Sequence, residues 1–324
     1  MRRKMHMAMN DVRKLLEARI PGLHARIEKM LVDAEALYND HAKQAPSEFL
    51  LEHSRRTAAI AHKVALMERI DPFLPCLVAL YHDAGKFHEG SYHQDDVPEE
   101  EHAAAIAERM LSASGLPREA IDAVVEALRA LYNDALPCSA ACRVVQDADR
   151  LDKLGGLGIG AFFTKAALRG RGLVEALSLS LSRELTYSVA APHSMLTETG
   201  RRLAREQAAK TIAFFDDLLQ NLEDWGIASF ERRVIVLEEQ FRTRDGTTLQ
   251  RLEVTIVMPR ACPECDGSLT LKHLRGRGIK CEQLTARFLC QGCGHSAETT
   301  FCLPIFARSE NDRAELGRAV ARAH

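Results

Sequence analysis

Residues 9–225 contain one helix-forming pattern after another, and this stretch restricts the possible folds more than any other feature of the chain. Ala, Leu, Glu and Arg dominate it, and it has no run of alternating β-branched residues. Its breaks are those that separate helices. Asp71-Pro72 is an N-cap followed by proline, the acidic segment 96–101 is typical of a first helical turn, and the glycine-rich segment 155–160 predicts a turn. We therefore expect a mainly α protein built on an all-helical bundle.

The pattern changes near residue 228. Arg233–Arg242 is rich in Val and Ile, Asp245-Gly246 is a hairpin signal, and residues 252–258 alternate between apolar and polar side chains. A small β domain should therefore follow the helices. The predicted domains are an N-terminal helical extension (1–45), a helical domain (46–228), a β-hairpin and cysteine-rich domain (229–308) and a C-terminal helical tail (309–324).

Composition excludes several classes of protein. The 324 residues carry a formal net charge of −2 at pH 7, so no overall field draws the chain to nucleic acid or to an anionic membrane. No apolar run reaches the roughly 18–20 residues of a membrane helix, and no hydrophobic signal core follows the basic residues 1–14. We expect a cytoplasmic protein with no membrane partner. We do not expect disulfides among the nine cysteines in that compartment, so paired cysteines are best interpreted as metal ligands.

Three helical segments carry side chains that bind metals. The first histidine shares a helix face with small and apolar residues, the His-Asp pair follows the apolar run Phe73–Tyr81, and an aspartate ends a third buried approach. Taken alone, each segment could be part of an ordinary helical core, a solvated helix face or a capping cluster, and not a metal site. Together, two imidazoles and two carboxylates are costly to bury without a cation, and the mixed N/O set suits Mn, Fe, Co, Ni or Zn. The candidate ligands are His53, His82, Asp83 and either Asp147 or Asp149.

In their order and context these residues resemble the HD-domain metal-dependent phosphohydrolases of the soluble bacterial type. The resemblance covers roughly residues 40–225 and includes "HDAGK" at 82–86, "ADRLDKLGGLGIG" at 148–160 and "MLTETGRRLAREQ" at 195–207. Members hold a metal with a histidine on one helix, a His-Asp doublet on a central helix and a distant aspartate. The resemblance implies an HD-type helical bundle and selects Asp149, within "ADRL", as the last ligand.

Some members of this family hold a second metal through two further histidines between the doublet and the last aspartate. His102 falls where the first of these is expected. The second would fall near Leu131, and no histidine is there. His102 is therefore a candidate second-site ligand, a contact for substrate phosphate, or a surface residue in a first helical turn.

The resemblance implies hydrolysis of a phosphate ester or pyrophosphate bond in a nucleoside or deoxynucleoside phosphate. The metal, for which Mg is a further candidate, would polarise a phosphoryl oxygen and lower the pKa of bound water to about 7. Asp83, Lys86 and Arg150 are the candidate catalytic residues, with Asp83 orienting the water and Lys86 neutralising phosphate charge. Lys86, His102 and Lys153 are candidate substrate contacts. The alternative is a weak or inactive HD domain that senses a nucleotide and signals through the C-terminal domain.

Two C-x2-C pairs stand in the β domain, with 24 residues between them. Four thiolates at this spacing suit one tetrahedral zinc, and a closed four-cysteine site is structural rather than catalytic. We therefore predict a zinc ribbon with one structural zinc. Cys138 and Cys142 are interpreted as small hydrophobes. The predicted zinc ligands are Cys262, Cys265, Cys290 and Cys293.

The loop 272–280, between the two cysteine pairs, is basic and has no base-stacking aromatic residues. It suits contact with a nucleic-acid backbone, but also a solvated hairpin tip. A protein contact, including a homodimer, is equally compatible with a ribbon. The basic residues are Lys272, Arg275, Arg277 and Lys280.

Overall fold

The computed structural model describes residues 2–43, 46–92, 97–133, 135–237, 241–242, 248–249, 252–262, 264–276 and 283–302. The chain divides into two compact units, and we describe each by itself. The first comprises Met1–Lys153 and Leu196–Leu203, and the second comprises Leu154–Met195 and Ala204–His324.

The first unit is helical. Its most apolar helix, α4, is buried along almost its entire length, as expected for a central helix. Helices α3, α4 and α7 pack against one another, and these three helices carry the candidate ligands. The helices of this unit are α1 (Arg2–Arg19), α2 (Leu23–His41), α3 (Phe49–Met67), α4 (Phe73–Tyr81), α5 (Glu99–Ser112), α6 (Arg118–Ala130) and α7 (Ala140–Asp152).

The start of α3 is held by a buried carboxylate on α2. Glu35 is 2% exposed, and it accepts hydrogen bonds from the N–H groups of Phe49 and Leu50 at 3.0 and 2.8 Å. The hydroxyl of Ser47 donates to it as well, at 2.5 Å. Because the first N–H groups of a helix have no partner within the helix, Glu35 supplies the missing acceptor. This contact defines where the helix of His53 begins.

The second unit combines helices with antiparallel strands. The helices are α8 (Gly155–Leu168), α9 (Leu173–Ser194) and α10 (Glu198–Asp224), whose first residues belong to the first unit. Strand β1 (Phe230–Leu237) pairs with β4 (Leu252–Pro259), and β2 (Phe241–Arg242) pairs with β3 (Thr248–Leu249). Strands β5 (Leu269–Gly276), β6 (Gln283–Cys290) and β7 (Ser296–Cys302) form a separate sheet in that order.

Helix α9 packs along the edge of β4 that β1 leaves unpaired. The Ser182 hydroxyl accepts from the N–H of Val257 at 2.9 Å and donates to its carbonyl at 3.2 Å. The Thr186 hydroxyl makes the same two bonds with Thr255, at 3.0 and 3.1 Å. Apolar side chains complete the core of this unit: Phe162, Ala166, Ala176, Leu177, Leu181, Leu185, Phe215, Leu222, Phe230 and Val257.

The predicted fold class is confirmed: the protein is mainly α, with ten helices among the described residues followed by small β-sheets. The contacts group residues 154–195 and 204–224 with the strands, whereas sequence analysis placed them in the domain 46–228. The domain boundaries themselves remain predictions, and the tail 309–324 lies outside the described residues. Among the described helices, none combines the length and the apolar character needed to cross a membrane.

Two local expectations were wrong. The glycine-rich segment 155–160 forms the first turns of α8 instead of a turn between helices, because apolar and helix-forming residues continue through Leu168. Cys138 and Cys142, interpreted as separate small hydrophobes, are paired as a disulfide with Cα atoms 5.4 Å apart. Cys138 immediately precedes the N-cap Ser139, and Cys142 lies in the first turn of α7, so the chain brings both within bridging distance.

Candidate metal centre

His53 lies on the inward face of α3, as its spacing predicts. It is buried together with Thr57, Ala61 and Val64, which follow it at helical intervals. Its Nδ1 lies 2.8 Å from Asp152 Oδ2. A carboxylate can only accept at this contact, so Nδ1 carries the proton and Nε2 is directed at the centre.

His82 and Asp83 stand where α4 ends. His82 is the C-cap of the helix, and its Nδ1 donates to the carbonyl of Ala79 at 2.7 Å. This bond again places the proton on Nδ1 and leaves Nε2 for a metal. The apolar helix therefore delivers an imidazole nitrogen and a carboxylate to a buried place.

The structure shows which of the two candidate aspartates, Asp147 or Asp149, lies at the metal centre. Asp149 joins the two histidines, whereas Asp147 accepts from the N–H groups of Leu196 and Thr197, both at 2.8 Å, and from the Thr197 hydroxyl at 2.7 Å. Asp147 thus caps the chain where α10 begins. Gly200 is required there, since a Cβ at this position would lie 2.2 Å from Asp147 Oδ2.

The ligand atoms converge closely. The Nε2 atoms of His53 and His82 are 3.2 Å apart, and Asp149 Oδ1 lies 3.3 Å from the first and 4.0 Å from the second. Asp83 approaches the same nitrogens, with Oδ2 3.4 Å from His53 and Oδ1 3.6 Å from His82. Metal–ligand bonds of about 2.1 Å place neighbouring ligands roughly 3.0 Å apart in an octahedral shell and roughly 3.4 Å apart in a tetrahedral one. His53, His82 and Asp149 therefore fit one divalent cation. Asp83 lies beside them, with a different oxygen nearest to each histidine.

The electrostatics also favour a cation. Burial lowers the pKa of His82, so this imidazole stays neutral. Burial also opposes charge on His53, but its hydrogen bonds with Asp149 and Asp152 outweigh this, and its pKa is raised. Burial acts to raise the pKa of Asp83 and Asp149, yet nearby lysines and both histidines lower each below its usual value. Two carboxylates thus remain charged around two imidazole nitrogens, a donor set that a divalent metal satisfies.

A carboxylate that the sequence analysis missed stands behind His53. Asp152 is 2% exposed, and besides His53 it binds the guanidinium of Arg56, with Nε to Oδ1 at 2.7 Å and Nη2 to Oδ2 at 3.0 Å. Such partners set the tautomer and orientation of a ligating imidazole. The available signal was its position three residues after Asp149, on the same helix.

The two lysines predicted as substrate contacts lie at the centre, each paired with a ligand carboxylate. Lys86 Nζ is 2.5 Å from Asp83 Oδ2, and Lys153 Nζ is 2.7 Å from Asp149 Oδ2. Burial lowers the pKa of Lys86, but the charges of Asp83 and Glu99 raise it more, so the ammonium keeps its charge. Burial raises the pKa of Glu99 to about 7, despite the opposing charge of Lys86.

The structure does not bring His102 and Arg150 into the cluster of ligand atoms. His102 stacks on His88, with ring centroids 3.8 Å apart, on the first turn of α5. Arg150 is buried, and its charge acts on Asp147 and Tyr132. A second-metal or substrate role for His102 and a catalytic role for Arg150 remain predictions.

Tyr132 is a second contact that the sequence analysis missed. Its hydroxyl donates to Asp149 Oδ2. Burial and the charge of Asp149 raise the pKa of Tyr132 well above its usual value, so the hydroxyl remains protonated. The tyrosine follows Leu131, the position near which the resemblance led us to look for a histidine.

The four cysteines form a second donor cluster, in the second unit. Their Sγ atoms lie within 4.8 Å of one another, with Cys262 3.7 Å from Cys293 and Cys265 3.5 Å from Cys290. A tetrahedral zinc with Zn–S bonds of about 2.3 Å places its sulfurs roughly 3.8 Å apart. The observed spacing fits one such ion.

The backbone around the cysteines supports this fit. The N–H groups of Glu264 and Gly292 point at the sulfurs of Cys262 and Cys290, at 3.4 and 3.3 Å. Hydrogen bonds from the backbone of Cys293 and Gly292 lower the pKa of Cys290 to about 6. The pKa of Cys293 is raised to about 12: a hydrogen bond from the backbone of His295 lowers it, but the neighbouring cysteines raise it more. Of the four basic residues named in the loop 272–280, Arg277 and Lys280 lie outside the described part of the chain.

No curated protein matches the chain, whereas several solved structures and one family model do. A predicted HD-superfamily hydrolase from an uncultured Thermotogales bacterium is 25% identical, over 65% of this chain and 97% of its own, with a TM-score of 0.46. Bacillus subtilis YpgQ in complex with ADP is 23% identical, over 61% and 96%, with a TM-score of 0.44. An HD-superfamily hydrolase from Bacillus thuringiensis is 19% identical, over 63% and 98%, with a TM-score of 0.43.

The family model of the HD domain matches residues 50–154. The matched segment begins just before His53, includes His82 and Asp83, and ends after Asp149, so it contains all four converging side chains. It also coincides with α3, α4 and α7, the three helices that pack around the centre. This segment of the chain, residues 50–154, is therefore an HD domain.

Proposed function

We propose that this protein is a metal-dependent phosphohydrolase that cleaves a phosphate ester or pyrophosphate bond of a nucleoside or deoxynucleoside phosphate. The observation that carries the proposal is the convergence of His53, His82, Asp83 and Asp149, with both histidines presenting Nε2 to one point. An HD domain with this donor set supports a metal-dependent hydrolase.

Each residue of the centre would have a distinct role in the reaction. The four converging side chains would hold a divalent metal such as Mn, Fe, Co, Ni, Zn or Mg. When bound, this ion supplies electrophilic assistance at a phosphoryl oxygen and lowers the pKa of water to about 7. Asp83, besides acting as a ligand, would orient the attacking water. Lys86, charged and half-buried beside Asp83, would exchange that partner for a phosphoryl oxygen and neutralise its charge.

A phosphate-release assay tests the proposal. Metal-free protein is supplied with Mn, Co, Ni or Mg, and both phosphate and pyrophosphate are measured over ribo- and deoxynucleotides that carry one, two or three phosphates. We expect metal-dependent release that disappears in Asp83→Ala. A matched control is Asp33→Ala, which removes an exposed carboxylate paired with Lys29 on α2.

The outcomes of this assay separate the proposal from the sensor alternative. Release that persists at the wild-type rate in folded Asp83→Ala would show that the site is assigned wrongly. A protein that binds metal and nucleotide but releases nothing under any metal would instead favour a nucleotide sensor that signals through the cysteine-rich domain. The ribbon would then be the place to look for a protein or nucleic-acid partner.

We also propose that Cys262, Cys265, Cys290 and Cys293 hold one structural zinc and make the β5–β7 sheet a zinc ribbon. The fit of their spacing to tetrahedral zinc supports this. Elemental analysis should give about one zinc per chain, lost in Cys290→Ser and kept in Cys76→Ala, a buried thiol outside the cluster. Retention of zinc by Cys290→Ser would contradict the assignment.

A further inference from the structure

Tyr132 has a backbone conformation that its residue type rarely adopts. Helix α6 ends at Ala130, Leu131 is extended, and Tyr132 then has a φ of +59°. L residues with a side chain avoid this left-handed region, and asparagine enters it more readily than tyrosine. Asn133 is the next residue, yet the chain places the tyrosine there. Strain of this kind persists where the surroundings require it, often at functional sites.

The side chain of Tyr132 makes a contact that accounts for this conformation. Its hydroxyl donates to Oδ2 of Asp149, and Lys153 Nζ donates to the same oxygen at 2.7 Å. The other oxygen, Oδ1, faces the two histidine nitrogens, at 3.3 and 4.0 Å. The two oxygens of one carboxylate therefore have different partners: one is held by donors of the protein, and the other is left for a metal.

We propose that Tyr132 is a positioning residue for the ligand Asp149, whose Oδ1 it presents to a single divalent ion by holding Oδ2. The inference rests on the metal centre of the proposed function. A carboxylate oriented in this way would bind an ion through Oδ1, because Oδ2 already accepts from Tyr132 and Lys153. Leu131, apolar and buried, offers no further ligand on that side.

Metal affinity, measured without substrate, tests this. Mn²⁺ is titrated into metal-free protein and the free ion is followed by electron paramagnetic resonance. Four thiolates hold Mn²⁺ poorly, so the signal reports the HD centre. Tyr132→Phe keeps the ring and loses the hydroxyl. We expect its Kd for Mn²⁺ to rise about 10–100-fold, as is typical when a partner of a metal ligand is removed.

Tyr38→Phe is the matched control. Tyr38 is a half-buried tyrosine of the same unit whose ring stacks on Phe87, with centroids 4.3 Å apart. We expect the Kd of Tyr38→Phe for Mn²⁺ to stay within about twofold of the wild-type value. This change is much smaller than the 10–100-fold rise expected for Tyr132→Phe. Wild type should bind about one Mn²⁺ per chain at saturation, as the single-ion centre requires.

A second variant guards against misfolding of the first. Tyr132→Asn accepts the left-handed backbone without strain but cannot reach Asp149 as the tyrosine does, so it should weaken Mn²⁺ binding. Circular dichroism of the metal-free variant checks that it is folded. Wild-type affinity in folded Tyr132→Phe and Tyr132→Asn would overturn the inference, as would a wild type that binds no Mn²⁺. Because no turnover is measured, absence of phosphate release would sink the proposed hydrolase and leave this inference standing.

Discussion

Replacing Asp152 with asparagine changes one charge behind His53 and leaves every proposed metal ligand in place. Asp152 Oδ2 accepts from His53 Nδ1 at 2.8 Å, while Arg56 donates to both oxygens, at 2.7 and 3.0 Å. An asparagine can match only part of this arrangement. If its NH₂ group replaces Oδ2, it faces His53 and pushes the proton to Nε2, the atom meant for the metal. If it replaces Oδ1, it opposes the Nε–H of Arg56.

The magnitude follows from these contacts. Losing the carboxylate that orients a ligating imidazole costs about 10–100-fold in metal affinity, or about 1.4–2.8 kcal/mol. We expect the upper part of this range, because Asp152 is 2% exposed and water cannot replace the lost acceptor. The metal-free protein should also lose stability, by about 1.5–3 kcal/mol, the range for hydrogen bonds to charged groups. This loss of stability should lie at the lower end of its range, because the Arg56 side chain is 25% exposed and stays hydrated.

The assay is a Mn²⁺ titration of Asp152→Asn beside Asp33→Asn, which removes the charge of an exposed carboxylate on α2. Thermal unfolding of the metal-free proteins separates weaker binding from poorer folding. Arg56→Met should have a smaller effect on affinity, because Asp152 would still accept from His53. Wild-type affinity in folded Asp152→Asn would refute the claim that this carboxylate orients the ligand.

Three further predictions concern stability and reactivity. Asp147→Ala leaves the N–H groups of Leu196 and Thr197 without their acceptor, so the free energy of unfolding should fall by about 3 kcal/mol. Asp149→Ala should instead lose metal binding. Calorimetry measures the first effect and a Mn²⁺ titration measures the second. Burial raises the pKa of Asp152, but hydrogen bonds to His53 and Arg56 lower it more, below its usual 3.8. The stability that this gives is present above pH 3.8 and lost as the pH falls through the lowered pKa, so metal-free wild type should lose more stability than Asp152→Asn between pH 5 and pH 3 in chemical denaturation. Burial raises the pKa of Cys76 to about 12, so alkylation followed by mass spectrometry should leave this thiol unmodified in the folded protein.

The sequence predicted the parts of the centre that depend on one helix at a time. The face of α3 that carries His53 can be found from helical spacing, and an apolar helix that ends in His82-Asp83 can be recognised as central. The choice between Asp147 and Asp149 was different. The two residues are two positions apart on one helix, so helical spacing left both open, and the resemblance selected Asp149. The structure confirms Asp149 by its partners, His53 and His82. Asp147 instead accepts from the backbone of Leu196 and Thr197.

Asp152 and Tyr132 were missed for a related reason. Asp152 and Arg56 are 96 residues apart, and neither has a local pattern that distinguishes an ion pair from a solvated helix face. The left-handed backbone of Tyr132 goes against the preference of its residue type, so local rules predict the opposite. The grouping of α8–α10 with the strands was also beyond the sequence. An apolar helix face shows that something packs on it, but not which element does.

The contact between α9 and β4 gives the small sheet an unusual boundary. Hydroxyls four residues apart on a helix are separated by about 6.0 Å along its axis, and alternate residues of a strand by about 6.8 Å. Ser182 and Thr186 can therefore stand in for two peptide groups of a third strand, each taking one N–H and giving one O–H. The amide protons of Thr255 and Val257 are then bonded to side-chain hydroxyls instead of to a neighbouring strand. Their exchange with deuterium would therefore report whether α9 is packed against β4. The two hydroxyls also occupy a strand edge that could otherwise pair with another chain and lead to aggregation.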